Sequence, residues 1–426
     1  MKLEFHLHLR PALLRRARQG GARWSKRVSL SFPSSPRSAE QSGARYMKIL
    51  AIETSCDDTC VAIAEAKGEK KPCFNILSNV VSSQVKIHQK YGGVYPSLAK
   101  REHQKNLPIT LRKALRLAKL NVKSPEINAV AVTVGPGLEP CLWTGINFAK
   151  KLAEQLKVQI IPVNHIEAHI VANFIGENSK FETLNPKLFP AISLVVSGGH
   201  TQLILMKDFG NYRILGETRD DAAGECFDKI ARILGLGYPG GPLIAKRVLQ
   251  LKLKMKSEKF KIILPRPMIY QKNYDFSFSG LKTAVLYKVR SMKYEETKKR
   301  EFIQEMCKEA QQAIIDVLIK KTIKAAKDYK AKTIILGGGV AANDELKRQF
   351  DLNLKSKKLN LKFLIPPKKF CTDNAVMVAA TAYFNLIFGG KRPKSVKENK
   401  VLFSTFASSG SSVIEANANL RIKAYK

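Results

Sequence analysis

Two histidines four residues apart, in His165-Ile-Glu-Ala-His169, are the side chains of this sequence best spaced to do chemistry. On a helix the i and i+4 imidazoles share one face, close enough to hold a single cation. The spacing is similar to the zinc-peptidase pattern H-E-x-x-H, but the acidic residue here is Glu167, in the third position and off the face that carries both histidines. A peptidase needs that carboxylate beside the metal-bound water as general base. Metallopeptidase is therefore an alternative rather than the main reading, and two solvated or core histidines would show the same spacing.

Ser197-Gly198-Gly199-His200-Thr201 stands at the end of a strand-like run. Glycines there let the backbone approach a ligand and turn N–H groups toward phosphate oxygens, although an ordinary hairpin turn would use the same residues. Gly337-Gly338-Gly339-Val340-Ala341-Ala342-Asn343 has the strand–glycine–helix form that sets a nucleotide against a helix N-terminus. Asp220-Asp221, Asp228, Tyr238-Pro-Gly-Gly-Pro242 and Asp373-Asn374 complete the polar set. An Asp before an apolar run is by default an N-cap, which is the ordinary reading of Asp373. Asp57-Asp58 are turn formers or the carboxylates of a phosphate-binding turn. Cys56 and Cys141 read as small buried hydrophobes. The sequence has no G-x-S-x-G, no GxxxxGK followed by Ser or Thr, and no Cys cluster with metal-ligand spacing, which leaves triad hydrolases, P-loop enzymes and zinc fingers without support.

These motifs sit on alternating strand-like and helix-like runs. Residues 48–55 and 60–64 form a hairpin around a small polar turn. Residues 102–119 carry Leu107, Leu111, Leu115 and Ala118 at helical spacing. A buried strand over 128–134, a break at Gly135-Pro136-Gly137, a helix through Leu156 and a strand over 159–163 follow. The second half repeats the style, with a hairpin over 191–206, a long helix from about Glu296 to Lys327, and a strand over 333–336 that enters the three glycines and opens a helix. Two α/β halves, each opening with a hairpin, predict two lobes around a ligand cleft.

Composition agrees. The 426 residues are 45% apolar and 25% charged, which excludes a disordered chain, a collagen or a coiled coil, and the length favours two or three lobes. Seven cysteines, an odd number without CxxC spacing, point to a reducing compartment. The apolar run 374–390 is shorter than the ~20 residues of a membrane span and reads as a buried helix, so no membrane association is expected. The net charge is +38. Residues 1–46 hold 8 Arg and 2 Lys against 2 acidic residues, as in a transit peptide or a spurious upstream start before Met47, and are expected outside the fold. The remaining +30 suits an anionic partner, nucleic acid first, although lysines that only solvate the surface would give the same balance. The expected organisation is an N-terminal α/β lobe over 47–165, a C-terminal α/β lobe over 166–390, and a polar, poorly ordered tail over 391–426.

Taken together and in order, seven blocks resemble the tRNA N6-adenosine threonylcarbamoyltransferase family, in its bacterial-type branch. They are Ile-Glu-Thr-Ser-Cys-Asp-Asp-Thr (52–59), His-Ile-Glu-Ala-His (165–169), Ser-Gly-Gly-His-Thr-Gln-Leu (197–203), Asp-Asp-Ala-Ala-Gly-Glu-Cys-Phe-Asp-Lys (220–229), Tyr-Pro-Gly-Gly-Pro (238–242), Asp-Phe-Ser-Phe-Ser-Gly-Leu-Lys-Thr-Ala (275–284) and Cys-Thr-Asp-Asn-Ala (371–375). The resemblance spans about Met47 to Gly390. Tyr95-Pro-Ser-Leu-Ala departs from the usual Val-Pro-Glu-Leu-Ala, away from the site positions.

The resemblance implies the actin/Hsp70/sugar-kinase (ribonuclease H-like) fold, with a cleft between two lobes. It implies transfer of threonylcarbamoyl from threonylcarbamoyl-AMP to N6 of adenine 37 in tRNAs reading codons that begin with A. It implies His165, His169 and Asp373 as ligands of one divalent metal ion, Fe(II) with Zn(II) as the alternative; Asp373 lies 204 residues past His169, beyond the reach of any spacing argument. It implies a substrate pocket of Val195, Val196, Ser197, Gly198, Gly199, Asp228, Gly241 and Asn343, and assigns no acid or base. Two imidazoles and a carboxylate leave open coordination positions. Family members also work with a smaller non-catalytic paralogue and an ATPase. A cytoplasmic location is expected, or a mitochondrial one if residues 1–46 are a transit peptide. An ATP-dependent kinase of the same superfamily would need Mg²⁺ and a catalytic Asp, and would have no use for paired histidines; an inactive nucleotide-binding scaffold would not need them either.

Overall fold

The computed structural model describes residues 46–68, 72–176, 186–253, 262–297, 300–389 and 414–422. The expected N-terminal extension, apart from Tyr46, lies outside the described residues.

β1 (Met47–Glu53) turns sharply into β2 (Asp58–Lys67), which pairs with β3 (Cys73–Ser83). After α1 (Val85–His88), α2 (Pro96–Leu117) crosses to β4 (Ala129–Gly135), parallel to β1. Then α3 (Glu139–Leu156) leads to β5 (Gln159–Asn164), parallel to β4. The first sheet has the order β3-β2-β1-β4-β5. β4 is buried at every residue, as expected of a central strand covered by helices on both faces.

α4 (His165–Val171) leads into the second sheet, which opens with β6 (Ala191–Val196), β7 (Thr201–Asp208) and β8 (Asn211–Glu217). Among the described residues five helices follow, α5 (Ala223–Ile233), α6 (Gly240–Leu253), α7 (Ser279–Arg290), α8 (Tyr294–Thr297) and α9 (Arg300–Asp328). β9 (Thr333–Gly337) lies parallel to β6, and after α10 (Asp344–Ser356) the edge strand β10 (Lys362–Leu364) closes the order β8-β7-β6-β9-β10. Each sheet thus places its first strand in the middle, a meander on one side and two parallel strands on the other. That shared plan is the expected two-lobed α/β architecture.

Three strands escaped the sequence reading. β3 and β8 mix buried and exposed residues without a clean alternation, and β10 has only three residues. The helix expected straight after the three glycines begins later. Gly339–Ala342 is a single 3₁₀ turn, and α10 starts at Asp344 under an Asn343 cap, whose Oδ1 accepts from Glu345 N at 3.0 Å and Leu346 N at 3.1 Å.

α11 (Ala375–Gly389) is the buried helix expected after residue 373. It packs against β1, β2 and α4, so this helix returns to the first sheet, although its position in the chain put it with the second lobe. Its cap is Asn374, whose Oδ1 accepts from Met377 N at 3.0 Å. Asp373 has no part in it, which removes the ordinary explanation for that residue.

The expectation of a poorly ordered tail fails for residues 414–422. Ile414 and Ile422 are buried, the Asn417 amide donates to Val134 O at 2.8 Å, and the Gly137 amide donates to Ala418 O at 3.2 Å. Lys150 Nζ donates to Ile414 O at 2.7 Å, and Arg421 pairs with Glu217 in the second lobe. The segment lies so close that a Cβ on Gly135 would stand 1.9 Å from Asn417 O.

The Asp-Asp and Asp-Phe-Ser-Phe-Ser blocks meet each other. Asp220 accepts from Ser277 Oγ (2.5 Å), Phe278 N (2.8 Å), Ser279 N (3.2 Å) and Ser279 Oγ (2.7 Å). Burial works against its charged form, but these donors outweigh it and hold the carboxyl below its ordinary range. A carboxyl held low adds stability above roughly pH 4 and loses it as the pH falls through the folded-state value. Asp220→Asn is therefore expected to cost about 1 kcal/mol at neutral pH and almost nothing in acid. Urea unfolding at both pH values checks it, and an equal cost at both would contradict it.

Candidate metal centre

α4 starts where β5 ends, because Asn164 caps it, with Oδ1 accepting from Ile166 N at 2.9 Å and Glu167 N at 3.1 Å. His165 and His169 then share one face, their rings edge to face with centroids 4.6 Å apart. Asp373, on the turn just before α11, brings Oδ1 to 3.6 Å from His165 Nε2 and 3.2 Å from His169 Nε2. One ligand atom from each of the three lies within 4.8 Å of the others. The histidines are buried and Asp373 keeps 21% of its side chain exposed, so the cluster opens on the carboxylate side.

Glu53 stands behind His165. Its Oε2 lies 3.0 Å from His165 Nδ1 and accepts from Thr133 Oγ1 at 2.6 Å, while Oε1 accepts from Ser55 N at 2.5 Å. Ser55 Oγ is 3.3 Å from the same Nδ1. Burial pushes the His165 imidazole down, but the Glu53 and Asp373 carboxylates overcome it and hold the ring at about 9. Burial would raise Asp373, yet the neighbouring imidazoles pull its carboxyl down. Burial holds His169 low. His200 is driven to about 4 by burial and by repulsion from the other two rings. The geometry is that of a cation site: one buried carboxylate, Glu53, and one partly exposed, Asp373, converge on two imidazoles. His169 faces Asp373 without hydrogen-bond alignment, and both its ring nitrogens are buried with no hydrogen-bond partner, as a ligand awaiting a metal would be.

The glycine turns border this cluster. Val195 and Val196 end β6, and Ser197–His200 form the turn to β7, closed by Ser197 N donating to His200 O at 2.8 Å. A Cβ at Gly198, Gly199 or Gly339 would meet nothing within 4 Å, so packing does not require glycine at these positions, whereas close approach by a ligand would. Gly337 and Gly338 differ. A Cβ at Gly337 would stand 2.8 Å from His169 O, and one at Gly338 2.3 Å from Val196 O. Asp228 on α5 accepts from Gly240 N at 2.6 Å; burial nevertheless lifts its carboxyl to about 6. Gly241 is the second residue of α6, and Asn343 spends its side chain on the α10 cap and on Gln311 Oε1 at 3.0 Å. The structure thus brings His165, His169 and Asp373 together, while Asp228 and Asn343 already have roles in joining helices.

The sequence reading gave no role to Glu53 or to the tail. Residues Ala418–Arg421 line a pocket with Pro136, Gly199, His200 and Thr201. Glu53 did leave a signal. β1 turns Ile49 and Ala51 toward the core shared with α4 and α11, and Glu53 is next on that face, where an apolar residue is the default. Cys141 is buried as expected, whereas Cys56 is only half-buried; burial raises both thiols and neither forms a disulfide. No helix of the described residues is long and apolar enough to cross a membrane.

The family profile of tRNA N6-adenosine threonylcarbamoyltransferase (TsaD) matches residues 75–380. The protein of that name from Thermosipho africanus is 48% identical over 337 residues, 79% of this chain and 94% of its own. The one from Persephonella marina is 45% identical over 340 residues, 79% of this chain and 90% of its own. A solved HypF structure from T. kodakarensis aligns with TM-score 0.49 and 13% identity, over 81% of this chain and 48% of that one.

Proposed function

The chain belongs to the tRNA N6-adenosine threonylcarbamoyltransferase family, and we propose that it transfers threonylcarbamoyl from threonylcarbamoyl-AMP to N6 of adenine 37 in tRNAs that read codons beginning with A. The observation that carries the reading is the convergence of His165, His169 and Asp373 beside two open glycine turns. In the reaction N6 bonds to the carbamoyl carbon, the bond from that carbon to the phosphate oxygen breaks, AMP leaves with the electron pair, and N6 loses a proton.

His165, His169 and Asp373 would hold one divalent ion, Fe(II) or Zn(II), through two nitrogens and one oxygen. Bound there, the ion supplies a Lewis acid for charge developing on the carbonyl and the departing phosphate. The chain's own residues do the positioning. The turn at Ser197–Gly199 and the backbone at Gly339 leave room for the adenylate against peptide N–H groups, with Asp228, Gly241 and Asn343 at its edges; Val195 and Val196, whose side chains are buried in the cores on opposite faces of β6, would meet it through their backbone alone. An exocyclic adenine amine is a weak nucleophile, so alignment and stabilisation of the leaving group carry most of the work. The +30 on residues 47–426 suits tRNA phosphates, and binding should weaken steeply with salt. We further infer a cytoplasmic protein that works with a smaller non-catalytic paralogue and an ATPase.

Nucleoside mass spectrometry of tRNA from cells depleted of this protein tests the reading. Threonylcarbamoyladenosine should fall and return on re-expression; an unchanged level in both states overturns it.

A further inference from the structure

We propose that Glu53 is the positioning residue for the metal: it accepts a hydrogen bond from the Nδ1–H of His165 and so turns the Nε2 lone pair toward Asp373 and His169. The inference rests on the metal reading above and concerns a residue outside the ligand set. An imidazole offers either nitrogen to a metal, and the hydrogen bond made by the other decides which. At His165 the decision is built in. Nδ1 lies 3.0 Å from Glu53 Oε2, and Nε2 faces Asp373 Oδ1 at 3.6 Å.

The cost of this arrangement argues for its purpose. Glu53 is fully buried at the inward end of β1, after the four apolar residues 49–52, and a buried carboxylate is expensive unless it is hydrogen-bonded. Ser55 N donates to Oε1 and Thr133 Oγ1 to Oε2, so the carboxylate is clamped from β1's own turn and from β4. Neither clamp would be needed if an apolar residue filled the position. His169 has no such partner for either ring nitrogen and depends on packing for its orientation. The site therefore has one ligand aimed by a hydrogen bond and one held by its neighbours.

Glu53→Gln removes the charge and puts an NH₂ group against donors, either Ser55 N–H or the Thr133 hydroxyl and His165 Nδ1–H, so that Nδ1 keeps at most an uncharged amide acceptor. The full chain, its Glu53→Gln and Glu53→Asp variants, and Asp373→Ala as the reference for a lost ligand would be titrated with Zn(II) against a chromophoric chelator. Glu53→Gln should bind 10–100-fold more weakly than the parent, with Glu53→Asp between the two. Long-range ¹H–¹⁵N correlation on the Zn(II)-loaded parent should show a proton on His165 Nδ1 and the metal on Nε2. Parental affinity in Glu53→Gln, or coordination through Nδ1, overturns the proposal while leaving the metal reading intact. A parent that binds no Zn(II) overturns both. If Glu53→Gln fails to fold, the nitrogen assignment on the parent decides alone.

Discussion

Asp373→Ala should leave a folded protein that transfers threonylcarbamoyl at least 10²-fold more slowly, the size of loss seen when a group stabilising transition-state charge is removed. The fold should survive because Asp373 is partly exposed and does not cap α11, which Asn374 does. His165 also keeps its contact with Glu53 when Asp373 is gone. What disappears is the sole acidic member of the ligand triad and the partner that both Nε2 atoms face. His165→Ala should match it in rate. Single-turnover transfer to tRNA, metal content and thermal unfolding of the same preparations would test this. Parental transfer by a metal-free Asp373→Ala would sink the assignment, and a collapse in unfolding temperature would show that the residue is structural instead.

Two neighbouring glycines should separate stability from ligand binding. Gly338 sits at φ +87, and its Cβ would stand 2.3 Å from Val196 O, 2.7 Å from Val196 C and 3.0 Å from Val196 N. All three obstacles are backbone, and β6 and β9 are paired side by side through Val195 and Gly337, so neither can move away. Gly338→Ala is expected to cost about 3 kcal/mol, from the positive φ and the clash together. Gly339→Ala meets nothing within 4 Å and has no unusual φ, so stability should stay within about 0.5 kcal/mol of the parent. Its methyl points where an adenylate would approach, and KM for threonylcarbamoyl-AMP should rise about tenfold. Urea unfolding and steady-state kinetics on the pair provide the check. Equal stability losses would contradict the packing argument, and an unchanged KM in Gly339→Ala would move the nucleotide elsewhere.

What the sequence made legible was local. The His165/His169 pair, the glycine turns and the central strands all follow from spacing within one element, where a period of two or 3.6 is enough. Asp373 was reached only through family resemblance, since a cap and a ligand look alike before an apolar run. Asn374, one residue on, takes the cap, and only the coordinates separate the two roles. Glu53 falls within the 52–59 block with no role legible from spacing, because its partners lie 80 residues away on β4 and 112 away on α4. The tail was misjudged for the same reason. Polar composition predicted disorder, whereas two buried isoleucines and hydrogen bonds to the distant β4 strand and Gly137 hold it in place.

Residue 135 is consequently hostage to a segment encoded far downstream. A side chain there collides with the backbone of Asn417, and this part of its penalty vanishes once 414–422 are removed. A screen for second-site suppressors of Gly135→Ala should therefore recover shortened or displaced C-termini, while the backbone strain at φ +149 stays uncorrected. Tolerance at one position is thus conditional on the other, a genetic interaction written into the path of the chain.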